Sequence, residues 1–250
     1  MDAAPAPSLR PAATRLVGCA ARLVAMLAMG VTSVPAIAQF AGSLSVSSRA
    51  LFRGRDVSDH RPAIEMELVH DGTGGFYLGG SVAAVATQDE GLKPLSVKVY
   101  AGFARQLPSG RVIDVGAVHG EYSDYSGIHG RGSYSEVHVG LVGGNVSGRI
   151  YFSPAYFRAD APTLYMEVEG HLPLAKDWSL LGHAGMLTHL RDQPDGGGRT
   201  VPDWRIGVRR RLGPVDLDIA WSGYREGGSR HHAYGDRKGS ALAVAMIAGF

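Results

Sequence analysis

The sequence is nearly free of cysteine, which limits how the protein can be stabilised. Cys19 is the only cysteine in 250 residues, and it lies in an amino-terminal segment that has the features of a signal peptide. A secreted chain without cysteine cannot rely on disulfide bonds. We therefore expect the remaining 212 residues to form one domain that is held together by its own strand pairing and packing.

Long apolar runs and a surplus of one charge are also missing. No stretch of 18 consecutive apolar residues occurs after residue 38, which argues against a transmembrane helix. Residues 39–250 carry 22 basic and 22 acidic side chains, so no basic excess indicates a nucleic-acid partner. Glycine is abundant and tyrosine outnumbers phenylalanine, and this composition favours a β-rich protein of the bacterial envelope.

The first 38 residues are typical of a cleaved signal peptide. Three arginines lie before or at the start of a short apolar run at 23–31, and a small-x-small cleavage motif ends at Ala38. The run is shorter than the ~20 residues that a spanning helix needs, so we prefer a signal peptide to a membrane anchor. We predict a signal peptide at 1–38 and a single β-barrel domain at 39–250.

Apolar and polar residues alternate with a period of two along most of the predicted domain. Successive side chains of a strand point to opposite faces, so this alternation predicts strands. Each segment is close to the ~9–11 residues that a tilted strand needs to cross a membrane. The twelve predicted strands lie at 43–53, 62–70, 75–86, 94–106, 110–121, 133–143, 146–157, 163–172, 177–189, 203–211, 214–223 and 240–250.

The connections between these segments alternate in length. Short turns rich in Gly, Pro and Asn occur at 71–74, 107–110, 143–145, 173–176 and 213–214. Longer, polar connections occur at 54–61, 87–93, 122–132, 158–162, 190–202 and 224–239. This sorting is typical of barrels with periplasmic turns and external loops. We predict an all-β fold, an up-and-down antiparallel transmembrane β-barrel of about twelve strands in the outer membrane of a Gram-negative bacterium.

The carboxyl-terminal segment supports the same fold. Residues 242–250 alternate strictly and end on Phe250. A terminal phenylalanine on such a strand looks like the signal by which outer-membrane barrels are recognised for insertion. We therefore predict that Phe250 is an assembly signal read by the barrel-assembly machinery. The apolar face of the strands would then contact outer-membrane lipid.

The opposite face of the strands carries charged side chains. They would face water in a soluble sandwich, whereas a membrane barrel turns them toward a wet lumen. Periodicity alone does not separate these folds; the signal peptide, the sorted connections and Phe250 favour the barrel. The predicted lumen-lining residues are Arg49, Glu65, Glu67, Lys98, Glu136, Arg149, Glu167, Glu169, Arg205, Arg209, Asp216 and Asp218.

The acidic pairs Glu65/Glu67 and Glu167/Glu169 have two interpretations. Residues i and i+2 on one strand face lie about 7 Å apart, so either pair could form a dyad for acid–base catalysis. We instead expect these carboxylates to form ion pairs across the lumen with Lys98, Arg149, Arg205 and Arg209. Aromatic residues near segment ends are expected to form interfacial girdles: Tyr100, Tyr151, Tyr156, Trp178, Trp204, Trp221 and Tyr224.

Metal and catalytic chemistry find little support in the sequence. His231, His232 and Asp236 could bind a divalent cation, but adjacent histidines on an extended chain point in opposite directions, which favours a solvated loop. Glu136 and His138 lack a third ligand. A hydrolase would need an activated serine, and no nucleophile motif surrounds Ser153. We predict no catalytic residue, no metal and no cofactor.

Several short motifs resemble the Gcw_chp family of proteobacterial envelope proteins, whose function is uncharacterised. They include Phe52-Arg53-Gly54, Ser58-Asp59, Pro62-Ala63, Val99-Tyr100-Ala101-Gly102, residues 134–140, residues 148–157, Leu164-Tyr165-Met166-Glu167 and Leu172-Pro173-Leu174. The resemblance implies an outer-membrane barrel, and it assigns no activity to any residue.

The predicted strand number suggests a function. About eight strands leave an interior that side chains fill, and 16–18 leave a wide channel, so twelve predict a narrow lumen partly occluded by charged side chains. We expect a passive channel or pore for small solutes. The alternatives are a non-conducting structural or adhesion barrel that acts through its external loops, and an outer-membrane hydrolase.

Overall fold

A computed structural model describes residues 40–72, 74–123, 132–191, 199–226 and 237–250. The predicted signal peptide lies outside these residues, as do His231, His232 and Asp236. In the described part of the chain, no helix is long and apolar enough to cross a membrane.

The described residues form fourteen strands. In chain order these are β1 (Phe40–Ser47), β2 (Leu51–Phe52), β3 (Arg55–Asp56), β4 (Ala63–Asp71), β5 (Phe76–Thr87), β6 (Gly91–Gln106), β7 (Val112–Tyr122), β8 (Gly132–Gly143), β9 (Val146–Tyr156), β10 (Thr163–Ala175), β11 (Trp178–His189), β12 (Thr200–Leu212), β13 (Val215–Glu226) and β14 (Arg237–Gly249).

Twelve of the strands close into an antiparallel barrel. Each strand from β4 to β13 pairs with the next along the chain, and β1 closes the ring by pairing with both β4 and β14. Beyond β14, the N–H of Phe250 donates to the carbonyl oxygen of Gly42 at 2.9 Å, and the N–H of Gly42 donates to the carbonyl of Phe250 at 2.8 Å. The predicted twelve-stranded, up-and-down fold is confirmed.

The predicted boundaries fail mainly in the first segment. We predicted one strand over 43–53, whereas β1 ends at Ser47 and the chain then forms a separate two-stranded hairpin, β2–β3. Arg49 consequently lies in the connection after β1 and not on the strand itself. The connection between β5 and β6 is also shorter than predicted, because β6 already begins at Gly91.

The faces of the strands follow the alternation. Apolar side chains such as Val139, Ile150 and Ile219 are exposed on the outer surface, where a bilayer would cover them. Leu95 is an exception, since strict alternation with Val97 and Val99 would place it on the outer face and it is 1% exposed. Between β5 and β6 the register shifts, with Ala83 opposite Ser96 and Ala84 opposite Pro94. The extra residue at this bulge reverses the alternation and turns Leu95 inward.

An apolar cluster lies inside the end of the barrel that carries the longer connections. Val57 of the first connection packs there with Leu95, Tyr122 and Tyr134 of the wall. Phe52 of β2 packs against the same cluster. The interior at this end is therefore filled by side chains, whereas cavities remain nearer the short turns.

Candidate functional site: the barrel lumen

Two cavities occupy the interior of the barrel. The larger has a volume of about 710 Å³ and the smaller about 540 Å³. Leu51, Glu169, Arg205 and Ser222 line both, so the cavities adjoin along these side chains. The lining mixes charged and hydroxyl side chains with small and apolar ones. Charged side chains are expected on the face of a barrel that is turned away from lipid.

Eleven of the twelve residues that we predicted to face the lumen line one or both cavities. They are Arg49, Glu65, Glu67, Lys98, Glu136, Arg149, Glu167, Glu169, Arg205, Arg209 and Asp218. The twelfth, Asp216, follows the short turn before β13 and lies 3.4 Å from a guanidinium nitrogen of Arg209.

The charged side chains form ion pairs along the wall. Lys98 Nζ lies 2.8 Å from Glu65 Oε1, and a guanidinium nitrogen of Arg205 lies 3.2 Å from Glu169 Oε1. Arg209 donates two hydrogen bonds of 2.7 Å to Asp218. We expected partners across the lumen, but these pairs join strands that are adjacent or separated by one strand. The open interior separates opposite walls, so the nearest counter-charge lies on the same wall.

Two clusters around aspartates were missed by the sequence analysis. Tyr77 donates a 2.7 Å hydrogen bond to Asp114, whose second oxygen lies 3.3 Å from both His138 Nε2 and Arg149 Nε. A similar cluster joins Asp203 to His183 Nε2 at 2.8 Å and to the hydroxyl of Tyr165 at 3.2 Å.

Each of these aspartates therefore satisfies its buried oxygens through side chains of neighbouring strands. Asp114 lies opposite the apolar face that Ile113, Val115 and Ala117 form in a predicted strand, and it could have been included from alternation alone. Asp203 began a predicted segment, so its face was not assigned.

Four tyrosines that we assigned to interfacial girdles point inward instead. Tyr100 donates a 2.7 Å hydrogen bond to Glu67, and Tyr151 donates one of 2.9 Å to Glu167. Tyr224 packs against a buried cluster, and Arg55 lies over its ring. Two of the tryptophans differ, since Trp178 and Trp221 are exposed on the outside of the barrel, and the ring of the third, Trp204, lies 6.1 Å from that of Trp221.

A bulge explains why Tyr151 and the fourth of these tyrosines, Tyr156, both face the lumen. Strict alternation would place residues five apart on opposite faces of a strand. In the pairing of β8 with β9, Ser135 lies opposite Ala155 and Val137 lies opposite Phe152, so β9 carries an extra residue at this point. The extra residue brings both rings to the inner side.

Arg53 is the most heavily contacted lumen side chain that sequence reasoning missed. It lies in the turn between β2 and β3, and its guanidinium donates hydrogen bonds of 2.9 and 2.7 Å to the two carboxylate oxygens of Glu136. The guanidinium carbon lies 3.8 Å from the ring centre of Tyr165 and 5.1 Å from that of Tyr156.

Burial alone would lower the pKa of Arg53. Electrostatic interactions with its neighbours, Tyr156 and Glu136 foremost, outweigh that effect and raise the pKa of Arg53 above its usual value, so the side chain stays charged.

The described part of the chain shows no built metal site, and Ser153, the serine that we weighed as a nucleophile, is not activated. No group of three or more His, Cys, Asp or Glu side chains within it could hold a metal ion. Glu136 and His138, which we weighed as ligands, instead contact Arg53 and Asp114. The hydroxyl of Ser153 is buried without a hydrogen-bonding partner, so no base activates it.

The predicted assembly residue, Phe250, lies at the closure of the barrel. A side-chain carbon built on Gly42 would come within 2.5 Å of the Phe250 ring and 2.9 Å of Leu68. The ring therefore covers Gly42 on the outer face, between the first strand and β4. Nearly half of its surface remains exposed.

Comparisons with known proteins agree with this architecture. A family model described as "Bacterial protein of unknown function (Gcw_chp)" matches residues 33–245. The NanC porin, in a rhombohedral crystal form, superposes with a TM-score of 0.55 at 10% identity, over 84% of this chain and 98% of that one. The KdgM porin gives a TM-score of 0.51 at 10% identity, over 84% and 99%. No curated protein matches the sequence. At this identity the structural matches establish the barrel fold alone.

Proposed function

The chain belongs to the Gcw_chp family of bacterial proteins of unknown function, and we propose that it is a narrow channel for small solutes in the outer membrane of a Gram-negative bacterium. The observation that supports this proposal is the pair of adjoining cavities in the barrel, whose walls carry charged and hydroxyl side chains. A barrel that served only as a scaffold could fill its interior with apolar packing. The polar lining instead provides an environment for water and small polar solutes.

The location can be tested by fractionation and electrophoresis. We expect the protein to fractionate with the outer membrane and to migrate differently on SDS gels before and after boiling. A closed barrel resists SDS because its backbone groups are paired around the ring. Release by osmotic shock as a soluble periplasmic protein would contradict the proposal.

Conduction can be tested with the refolded protein in planar bilayers. We expect small, discrete current steps, because the cavities are narrow and charged side chains extend into them. Absence of steps over the accessible voltage range, also after the interior hairpin has been replaced by a flexible linker, would reject a channel. The same preparation without protein is the control.

A non-conducting barrel that acts through its longer connections is the second candidate. The apolar cluster of Val57, Leu95, Tyr122 and Tyr134 favours it, because these side chains fill the end of the barrel that carries the longer connections. The two candidates differ in whether the hairpin β2–β3 ever leaves its place. A hydrolase receives no comparable support from the geometry of the described residues.

A further inference from the structure

The connection after β1 reaches the far side of the barrel. β9 stands opposite β1, because five strands separate the two in either direction round the ring. Arg53, at the tip of the hairpin that follows β1, contacts Glu136 of β8, Tyr156 of β9 and Tyr165 of β10. The hairpin therefore spans the interior instead of lying above it.

The contact of Arg53 with the far wall is largely buried and highly specific. The side chain of Arg53 is 10% exposed and that of Glu136 is 2% exposed. Two parallel hydrogen bonds join the guanidinium to the carboxylate, an arrangement that is both strong and directional. Four aromatic rings, those of Phe52, Tyr151, Tyr156 and Tyr165, surround the guanidinium and add cation–π attraction.

The tip of the hairpin also fits closely against a third part of the wall. Gly54 has a φ of +73°, and a side-chain carbon built there would clash with the carbonyl oxygen of Gly223 on β13. Only glycine combines this backbone conformation with so close an approach. The hairpin thus contacts β8, β9 and β10 through Arg53, and β13 through Gly54.

The hairpin itself contributes little to its own position. It has two residue pairs, Leu51 with Asp56 and Phe52 with Arg55, and it forms a sheet separate from the barrel. A two-stranded hairpin is marginally stable alone in water. Its position across the lumen therefore depends on side-chain contacts at its tip and on the packing of Phe52 and Val57.

We propose that the hairpin β2–β3 is the constriction that sets the size of solute the channel passes, and that the contact between Arg53 and Glu136 is the latch that keeps it across the lumen. This inference rests on the proposed channel function. Loss of the latch leaves a buried carboxylate without a partner, which disfavours the closed position. The hairpin would then leave the far wall, and the two cavities would open toward the longer connections.

Conductance measurements on latch variants test the proposal. We expect Arg53→Ala and Glu136→Gln each to raise single-channel conductance several-fold and to admit larger polyethylene glycols. Arg53→Lys should give an intermediate value, because it keeps the charge and loses the paired hydrogen bonds. Replacing Leu51–Asp56 with a Gly/Ser linker should give the largest conductance.

Arg61→Ala is a matched control for these variants. It removes the same charge from the same connection, at a site that contacts Asp59 and is 41% exposed. Its conductance should equal that of the unaltered protein. An increase as large as that of Arg53→Ala would mean that net charge, not the latch, controls the current.

A labelling experiment reports the hairpin position without any need for current. The double variant Cys19→Ala/Val57→Cys, expressed in cells, has a single thiol in the buried cluster, where Val57 is 4% exposed. A membrane-impermeant maleimide should label it slowly, and labelling should accelerate at least several-fold when Arg53→Ala is added. Arg61→Ala should leave the rate unchanged.

The two measurements separate the latch from the channel. Faster labelling with higher conductance supports both proposals. Faster labelling without current in any variant, the linker replacement included, supports a movable hairpin and rejects the channel, which also removes the proposed constriction. Unchanged labelling and unchanged conductance in Arg53→Ala and Glu136→Gln overturn the latch while leaving the channel function in place, provided that the unaltered protein conducts.

Discussion

Gly42 and Phe250 form a contact at the closure of the barrel. Their backbones exchange two hydrogen bonds, and the Phe250 ring lies over the space that a side chain on Gly42 would fill. The contact lies on the outer face beside Leu68. A small residue on the first strand and a large one at the end of the last strand therefore complete the same patch of the outer surface.

We predict that deletion of Phe250, or Phe250→Asp, strongly lowers the amount of assembled barrel and leaves export to the periplasm intact. The aromatic ring would no longer be available for recognition, and the aspartate would lie on the outer face near Gly42. The measurement is the fraction of protein that shows heat-modifiable migration in outer-membrane preparations.

Phe40→Asp is the control for this prediction. Phe40 is another exposed aromatic residue on β1 at the same end of the barrel, 60% exposed and stacked against His70. We expect it to reduce assembly much less than Phe250→Asp. Equal losses would show that the rim needs aromatic residues in general and that Phe250 carries no special signal.

At the residue scale, the sequence predicted the side chains of the lumen wall better than those of the hairpin inside the lumen. Glu136 and Arg149 follow from alternation, because each lies within a regular strand. Arg53 does not, since the alternating pattern continued through residue 53 and concealed the end of β1 at Ser47. Some of the residues that carry the family resemblance, among them Phe52, Arg53, Glu136 and Tyr165, meet at the latch.

At the element scale, the strands were predictable because a membrane barrel imposes one rule on all of them. Every strand must alternate and must reach across the same thickness of bilayer. Bulges break that rule locally, and the alternation of apolar and polar residues does not predict where they occur. The bulge in β6 turned Leu95 inward, and the bulge in β9 brought Tyr156 to the same face as Tyr151.

These bulges also shape the interior. Leu95 contributes to the apolar cluster near the longer connections, and Tyr156 contributes to the ring cage around Arg53. Without the extra residues, the two side chains would point toward lipid, and the hairpin would lose part of the surface that it packs against. The irregular positions therefore belong to the site, and their function is to hold the hairpin.

The inside–outside assignment of β8 leads to a prediction with an internal control. Val139 is 47% exposed on the outer face, and its neighbour His138 lies in the lumen beside Asp114. Val139→Arg should destabilise the barrel by ~2–4 kcal/mol if its position is near the bilayer midplane. His138→Arg, at the same depth on the other face, should lower the stability of the barrel far less, because Asp114 can form an ion pair with the new guanidinium.

Urea unfolding of both variants in lipid vesicles measures the difference. The free energy of unfolding should fall for Val139→Arg and stay close to that of the unaltered protein for His138→Arg. Similar values for the two would mean that β8 faces the opposite way.

At the scale of the whole molecule, strand number and lumen charge together determine what could pass. Twelve strands leave two modest cavities, as the intermediate strand number led us to expect. The carboxylates that line the larger cavity outnumber its lysine and arginine side chains, six to four. They are Glu67, Asp114, Glu136, Glu167, Glu169 and Asp203, against Arg53, Lys98, Arg149 and Arg205. The sequence predicted mixed signs, and it left out Asp114, Asp203 and Arg53 of this cavity.

The proposed path should therefore favour cations slightly, and charge reversal in its wall should strengthen that preference. Arg205 lines both cavities and is 47% exposed, so its charge acts on ions in the lumen. We predict that Arg205→Glu or Arg149→Glu shifts the reversal potential in a salt gradient toward cation selectivity. The shift should be largest near 0.01 M salt, where the screening length is about 30 Å, and should shrink toward 1 M, where it is about 3 Å.

Arg191→Glu makes the same change of charge outside the lumen. Arg191 follows β11 in a longer connection, is 67% exposed and lies 3.8 Å from Asp160. The reversal potential of the Arg191→Glu variant should stay near that of the unaltered protein at every salt concentration. If Arg191→Glu shifts the reversal potential as much as Arg205→Glu does, the charges act from the end of the barrel that carries the longer connections. The current would then not run past the wall that Arg205 lines. A current that persists with no shift in either variant would place the conducting path elsewhere, because an ion crossing these cavities cannot avoid the field of Arg205.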